Sequence, residues 1–194
     1  MGLDILIWTD KSEAFMRSEE YSNKELDLYN KHSLSRTFCD LICRSNVIIG
    51  DTELEQIAKI TCIDISDIVA MESYGSESGE ELDWLLKSAN SEEEKQEILN
   101  QAKQNKENLK GNIDKVLSCV NSLIEKLSGI HNLPVLLDDH EEDTLDNKKY
   151  FSDFNIDKGQ GYIGNNFGQD MRNFKRHLEY AKSKGATTVY FLFG

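Results

Sequence analysis

The sequence predicts a mixed α/β or α+β fold, a small sheet flanked by helices. Three observations carry this expectation. Short apolar runs open and close the 194-residue chain. Apolar residues recur through its middle in steps of three and four, the mark of helices. Two Trp, seven Tyr and eight Phe supply material for a core, which argues against wholesale disorder. Strands are expected near 3–8, 134–137, 150–154 and 187–193.

Leu3 to Trp8 is a short, mostly apolar run ending at Thr9-Asp10, and it reads as a buried strand. Residues 11–31 are polar and carry no clear pattern. Ser33 is placed to cap a helix whose apolar face is Leu34, Phe38, Leu41 and Ile42. After Gly50, Thr52 and Glu55 have the spacing of a capping box before Leu54, Ile57 and Ala58. A second short helix follows Asp64. The Gly/Ser-rich stretch 73–80 reads as a loop. Beyond Trp84, Ser91 and Glu94 form a second capping box. From there apolar residues sit at Ile98, Ala102, Leu109, Ile113, Val116, Val120, Leu123 and Leu127. These steps are those of a bundle or coiled-coil seam. An unbroken helix of ~36 residues would span about 54 Å, more than a compact domain needs. Residues 1–194 are therefore read as a single domain, with 79–129 as a helical arm or hairpin inserted into it. Pro134, the only proline, opens the short apolar run Val135-Leu136-Leu137. A strand at 150–154, a Gly-rich loop over 157–168, a helix carrying Met171, Phe174, Leu178 and Ala181, and the closing strand make a βαβ-sized unit.

The formal net charge is −13, unevenly spread. Residues 147–194 hold eight Lys/Arg and four Asp/Glu; residues 1–146 hold 14 and 31. An acidic bulk repels phosphate backbones and anionic lipid, so general nucleic-acid or membrane binding is disfavoured. It suits a basic partner, or simply solubility. Cys39, Cys43, Cys62 and Cys119 contain no Cys-x-x-Cys pair; they read as half-buried thiols in a reducing compartment. Neither a secretory leader nor an apolar span is evident, so a cytoplasmic location is expected.

Gly159-Gln-Gly161-Tyr-Ile-Gly164 matches Gly-x-Gly-x-x-Gly in form. The strand before it is too distant, and no ribose-binding acid follows a second strand, so the segment reads as a tight turn rather than a dinucleotide site. An anion site remains a candidate. Gly161, Gly164, Asn165 and Asn166 precede the free N–H groups of a helix, and Arg172, Lys175 and Arg176 share its polar face. The competing reading is a solvated basic face. Asp153 and Asp157 flank the loop as candidate carboxylates for acid–base work, which they do only if a cleft brings them together. Asp138, Asp139, His140 and Glu142 are a weak metal candidate; without alternate ligand spacing or a turn glycine they read better as a solvated loop. No cofactor is predicted.

Two segments resemble a group of uncharacterised bacterial and phage proteins: the opening Met-Gly-Leu-Asp-Ile, and Phe151-Ser-Asp-Phe-Asn followed by Gly161-Tyr-Ile-Gly164, a helix and a last strand. Here extra residues separate Ser-Asp from Gly-x-Ile-Gly. The resemblance implies that the first strand and the last unit belong to one body, and it transfers no function.

The leading functional expectation is a non-enzymatic intracellular binding or accessory protein, of inhibitor or immunity type, that engages a basic partner. One alternative is a small enzyme or binding protein for a phosphorylated or anionic molecule centred on 153–176. Another is a structural homodimer through the helical arm.

Overall fold

The computed structural model describes residues 4–46, 48, 50–75, 79–138 and 145–193. Strand β1 (Ile5–Thr9) leads to helices α1 (Ser12–Met16), α2 (Leu28–His32) and α3 (Arg36–Ile42), the last continued by a 3-10 turn, Cys43–Asn46. Then come α4 (Glu53–Thr61), α5 (Ser66–Gly75), α6 (Gly79–Ser88), α7 (Glu92–Asn108), α8 (Ile113–Ser128), α9 (Leu133–Leu136), α10 (Asn147–Tyr150), α11 (Phe167–Ser183) and β2 (Val189–Phe193). The fold is α+β: helices surround an antiparallel pair, β1 against β2, with Ile5 opposite Phe193 and Thr9 opposite Val189.

The alternation expected of strands places Ile5, Ile7, Val189 and Phe191 in the core. Asp10 closes the far end of the pair, accepting from the N–H groups of Thr187 (3.0 Å) and Thr188 (3.1 Å). The centre of the molecule is α11 packed on α8. Phe167, Met171, Phe174, Leu178 and Ala181 of α11 meet a core that includes Val116, Val120, Leu123 and Leu127 of α8, all buried. Each large side chain removed from water in this way contributes ~1.5–3 kcal/mol.

Several elements differ from the sequence expectation. The expected strand at 134–137 is the single helical turn α9, with Pro134 in its first turn, where a missing N–H costs nothing. The expected strand at 150–154 is the end of α10 and the turns after it. Tyr150, Phe151 and Phe154 are buried together around Phe167 with ring centroids 5.1–6.0 Å apart, and a strand's alternation would have split Tyr150 from Phe151. No βαβ unit forms, because 150–154 is not a strand and the last strand pairs antiparallel with the first instead. The seam over 98–127 divides at residues 109–112 into α7 and α8. Only Ala102 of α7 is buried, whereas α8 is a core helix. The Gly/Ser-rich stretch begins inside α5, which continues to Gly75; residues 76–78 lie outside the described residues.

Helix starts follow the capping chemistry. Thr52 and Glu55 form the reciprocal capping box expected of them. Ser91 Oγ accepts from Glu94 N–H, while the Glu94 carboxylate reaches back to Asn90 N–H instead of Ser91. Ser35, not Ser33, caps α3; Ser33 Oγ instead donates to the Tyr29 carbonyl at the end of α2.

Candidate functional site

The Gly-rich loop over 157–166 is held from below by the start of α11. Asn166 caps that helix through its side-chain oxygen, and its Nδ2 donates to the carbonyls of Ser152, Asp153 and Ile156. Gln169 Oε1 accepts from the N–H groups of Lys158 and Gly159, both at 2.7 Å, and its Nε2 donates to the Gly159 carbonyl. The backbones approach so closely that a Cβ on Gly159 would sit 2.4 Å from the Ile163 carbonyl oxygen. One on Gly168 would sit 1.8 Å from that of Phe154. Gly159 and Gly168 are required by this packing.

The residues proposed for an anion site do gather here, but they serve one another. Arg172 donates through Nε to Asp157 at 2.9 Å and through Nη1 to the Phe154 carbonyl at 2.7 Å. Arg176 lies 3.6 Å from the same Asp157 carboxylate and donates to Asn173 Oδ1. Lys175 pairs with Glu179 along the helix. Asp153 pairs with Lys158. The first turn of α11 is buried from Phe167 to Asp170, and the N–H groups of Gln169 and Asp170 donate to the side-chain and backbone oxygens of Asn166. Gly161 turns beneath Asn30, and Gly164 and Asn165 lead into the helix cap. Asp153 and Asp157 are thus each engaged by their own cation rather than by each other.

The group that organises this region is one the sequence reading passed over. The Asp170 carboxylate is fully buried and accepts four hydrogen bonds. Oδ1 takes them from Ser35 N–H (3.0 Å) and Asn165 Nδ2 (2.7 Å), Oδ2 from Ser35 Oγ (2.5 Å) and Tyr150 Oη (2.8 Å). Burial pushes its pKa up to about 6 although all four bonds favour the charged form. This network ties α3, α10 and α11 together and explains why Ser35 is the cap. Above it opens a cleft of ≈ 350 Å³ whose walls include Thr37, Asp40, Lys149, Tyr150, Lys158 and Asn165.

A second buried polar group lies about two turns further along α11. His32 and His177 stack edge-to-face at 5.5 Å among Phe15, Tyr21 and Tyr180. Burial lowers their pKa values to about 4 and about 3, so both are neutral at physiological pH. His32 Nδ1 and His177 Nε2 are buried without hydrogen-bond partners. The spacing 174, 177, 178, 181 put His177 on the core stripe, a signal that was available in the sequence.

Asp138 is exposed, and its N–H donates to Gln56 Oε1. Asp139, His140 and Glu142 lie outside the described residues. Among the described residues no three His, Cys, Asp or Glu side chains converge to hold a metal ion. Nor, among them, is any helix long and apolar enough to cross a membrane.

The charge has a clear address. Residues 51–97 hold 14 Asp/Glu against three Lys/Arg, most of the chain's −13. They form α4 to α6 and the first turns of α7. Trp84 on α6, within the same segment, is 63% exposed. The two segments that carry the resemblance also meet: Tyr162 Oη donates to Asp4 Oδ1 at 2.7 Å, with Arg36 Nε on the same oxygen at 2.8 Å. No family model matches this chain, and no curated protein or solved structure matches it either.

Proposed function

We propose that this protein is a non-enzymatic binding protein, working in the cytoplasm, that engages a basic protein through the α4–α7 face. The carrying observation is the concentration of 14 acidic and three basic residues in the segment 51–97, of which Glu53 is buried against Arg44 and in which Trp84 is exposed. Such a field steers a cationic partner and raises its association rate, while large aromatics anchor interfaces once contact is made. The four cysteines are free thiols, in keeping with a reducing compartment. The test is capture from the native host with wild type beside a variant carrying Glu92→Gln, Glu93→Gln and Glu94→Gln, followed by direct titration of the identified protein. The expected partner is basic, is released as salt rises, and binds the variant more weakly. A partner held equally by the variant and at high salt overturns the reading.

A second reading is favoured by the cleft above Asp170. Lys149 lines it beside the Thr37 hydroxyl and the Asn165 amide, a set able to hold a small phosphorylated or anionic molecule, with Lys158, which also pairs with Asp153, and the carboxylates of Asp40 and Asp146 in the same walls. Thermal shift with inorganic phosphate and phosphorylated metabolites tests it. Stabilisation lost in Lys149→Ala supports a ligand role, and no shift with any of them removes it.

A further inference from the structure

A small cavity lies where β1 meets α2 and α11. Its walls include Ile5 and Ile7 of β1, Met16, Tyr21, and the rings of His32 and His177. The volume is ≈ 80 Å³. Leu6 and Tyr29, 45% and 56% exposed, carry the lining out to the surface. Among the described residues none lines both this cavity and the cleft above Asp170. His32 and His177 are 7% and 3% exposed. Even so, His32 Nδ1 and His177 Nε2 have no hydrogen-bond partner among the described residues. Such atoms are rare in a folded interior, because their lost hydration goes uncompensated. Here both belong to neighbouring rings in the wall of one cavity.

We infer that this cavity is a binding site for a small uncharged molecule, the size of one five-membered ring, whose polar end carries both a hydrogen-bond donor and an acceptor. The two imidazoles make the selection. A neutral imidazole presents one N–H and one lone-pair nitrogen, so a group that both donates and accepts pairs with either tautomer. An azole N–H/N pair or a hydroxyl does this. A half-turn of either ring about its Cβ–Cγ bond keeps the ring outline and exchanges a nitrogen for a carbon, so an unpartnered nitrogen turns toward the occupant without repacking the core. Burial keeps both rings neutral, and it penalises an ionic ligand in the same way. The nearby Arg176 and Lys31 charges, which also hold His32 neutral, further oppose a cation. A metal ion lacks a third His, Cys, Asp or Glu ligand among the described residues. Asp4 also lines the cavity, and its carboxylate is engaged by Arg36 and Tyr162. The volume limits the occupant's size, being well under the ~150 Å³ of a dry cavity that accepts benzene. The rest of the lining is mostly aliphatic and aromatic, which suits a flat apolar body.

The test uses the full chain, isotope-labelled at histidine, titrated at neutral pH with pyrazole, an uncharged ring with adjacent N–H and N. Furan, a five-membered ring of similar outline with no N–H donor, is the control. Imidazole ring-nitrogen NMR shifts give both the site and the affinity. Pyrazole is expected to move the His32 and His177 nitrogen resonances saturably and to bind about tenfold more tightly than furan, the effect of one ordinary hydrogen bond. His177→Phe keeps an aromatic ring and removes its nitrogens, so it should abolish the preference for pyrazole; circular dichroism verifies its fold. The wild-type nitrogen shifts separate loss of the polar contact from mere filling of the cavity by Phe. Pyrazole that moves neither ring's nitrogens, furan that binds as tightly as pyrazole, or a His177→Phe variant that still prefers pyrazole as wild type does, overturns the inference.

Discussion

Asn112 pairs with Val189 through both ends of its side-chain amide: Nδ2 donates to the Val189 carbonyl at 2.9 Å and Oδ1 accepts from the Val189 N–H at 2.8 Å. The side chain does what a neighbouring strand would do. It seals the outer edge of β2 at the turn between α7 and α8, where Ile113 N–H also donates to the Thr187 carbonyl. Asn112→Ala leaves a buried donor and acceptor unpaired, at a cost of about 1–3 kcal/mol. Asn112→Asp keeps the acceptor but loses the donor, so it should also destabilise. Chemical denaturation of the two variants beside wild type measures both losses.

Asp170 and the histidine pair predict opposite pH dependences. The Asp170 pKa is raised by burial from 3.8 to about 6. Its contribution is fully present below pH 3.8 and is lost as pH rises through 6, by about 3 kcal/mol at roughly 1.4 kcal/mol per unit. His32 and His177 are depressed from 6.5 to about 4 and about 3. Their contribution is present above pH 6.5 and is lost progressively as pH falls toward 3. The two trends offset each other between pH 4 and 6. Asp170→Asn removes one of them, so stability should then rise more steeply with pH across that window. An unchanged slope in urea melts at pH 4, 5 and 6 would contradict the assignment.

His177→Phe keeps an aromatic ring against Phe15 and His32 and deletes the buried, unpartnered Nε2. Removing an unsatisfied polar atom is worth ~1 kcal/mol where the new side chain packs. The variant should be at least as stable as wild type at pH 7 and lose less stability at pH 4.5, read as the difference in melting temperature.

Gly168→Ala should be among the most damaging single-methyl changes in the chain. The added Cβ meets the backbone carbonyl of Phe154 at 1.8 Å, and a backbone contact cannot rotate away. Overpacking of this kind costs ~1–3 kcal/mol or more. Gly129→Ala, whose Cβ would find its nearest neighbour at 3.6 Å, is the matched control and should be nearly neutral. Thermal melts separate the two.

Arg172→Ala distinguishes a structural from a ligand-holding arginine. Its guanidinium holds both Asp157 and the Phe154 carbonyl, and its side chain is 22% exposed. Removal should lower stability by roughly 1 kcal/mol, toward the upper end for a partly exposed pair. A variant as stable as wild type would free Arg172 for another role.

Local chemistry made much of the chain legible in advance. The strand pattern of Ile5 and Ile7, the capping box at Thr52 and Glu55, and the apolar stripe of Met171, Phe174, Leu178 and Ala181 depend on residues a few positions apart. Their neighbours in sequence are their neighbours in space. The same locality explains the errors. Val135-Leu136-Leu137 is a short apolar run and Tyr150 to Phe154 a short aromatic-rich one, and over so few residues helix and strand are not separable by pattern. Strand β2 lies at the other end of the chain and pairs antiparallel with β1, and neither run joins that pair. In the candidate site, sequence located the segment over 153–176 but not its wiring. Arg172 and Arg176 looked available because Asp157 lies 15 residues from Arg172, and the pairing exists only once the loop folds back. Asp170 carried no local signal because its donors Ser35 and Tyr150 lie 135 and 20 residues away. The sequence by itself determined the helix caps, the core stripes and the acidic stretch 51–97. Tertiary structure decided which charges face solvent and which are consumed internally, because burial and pairing depend on distances that only the folded chain sets.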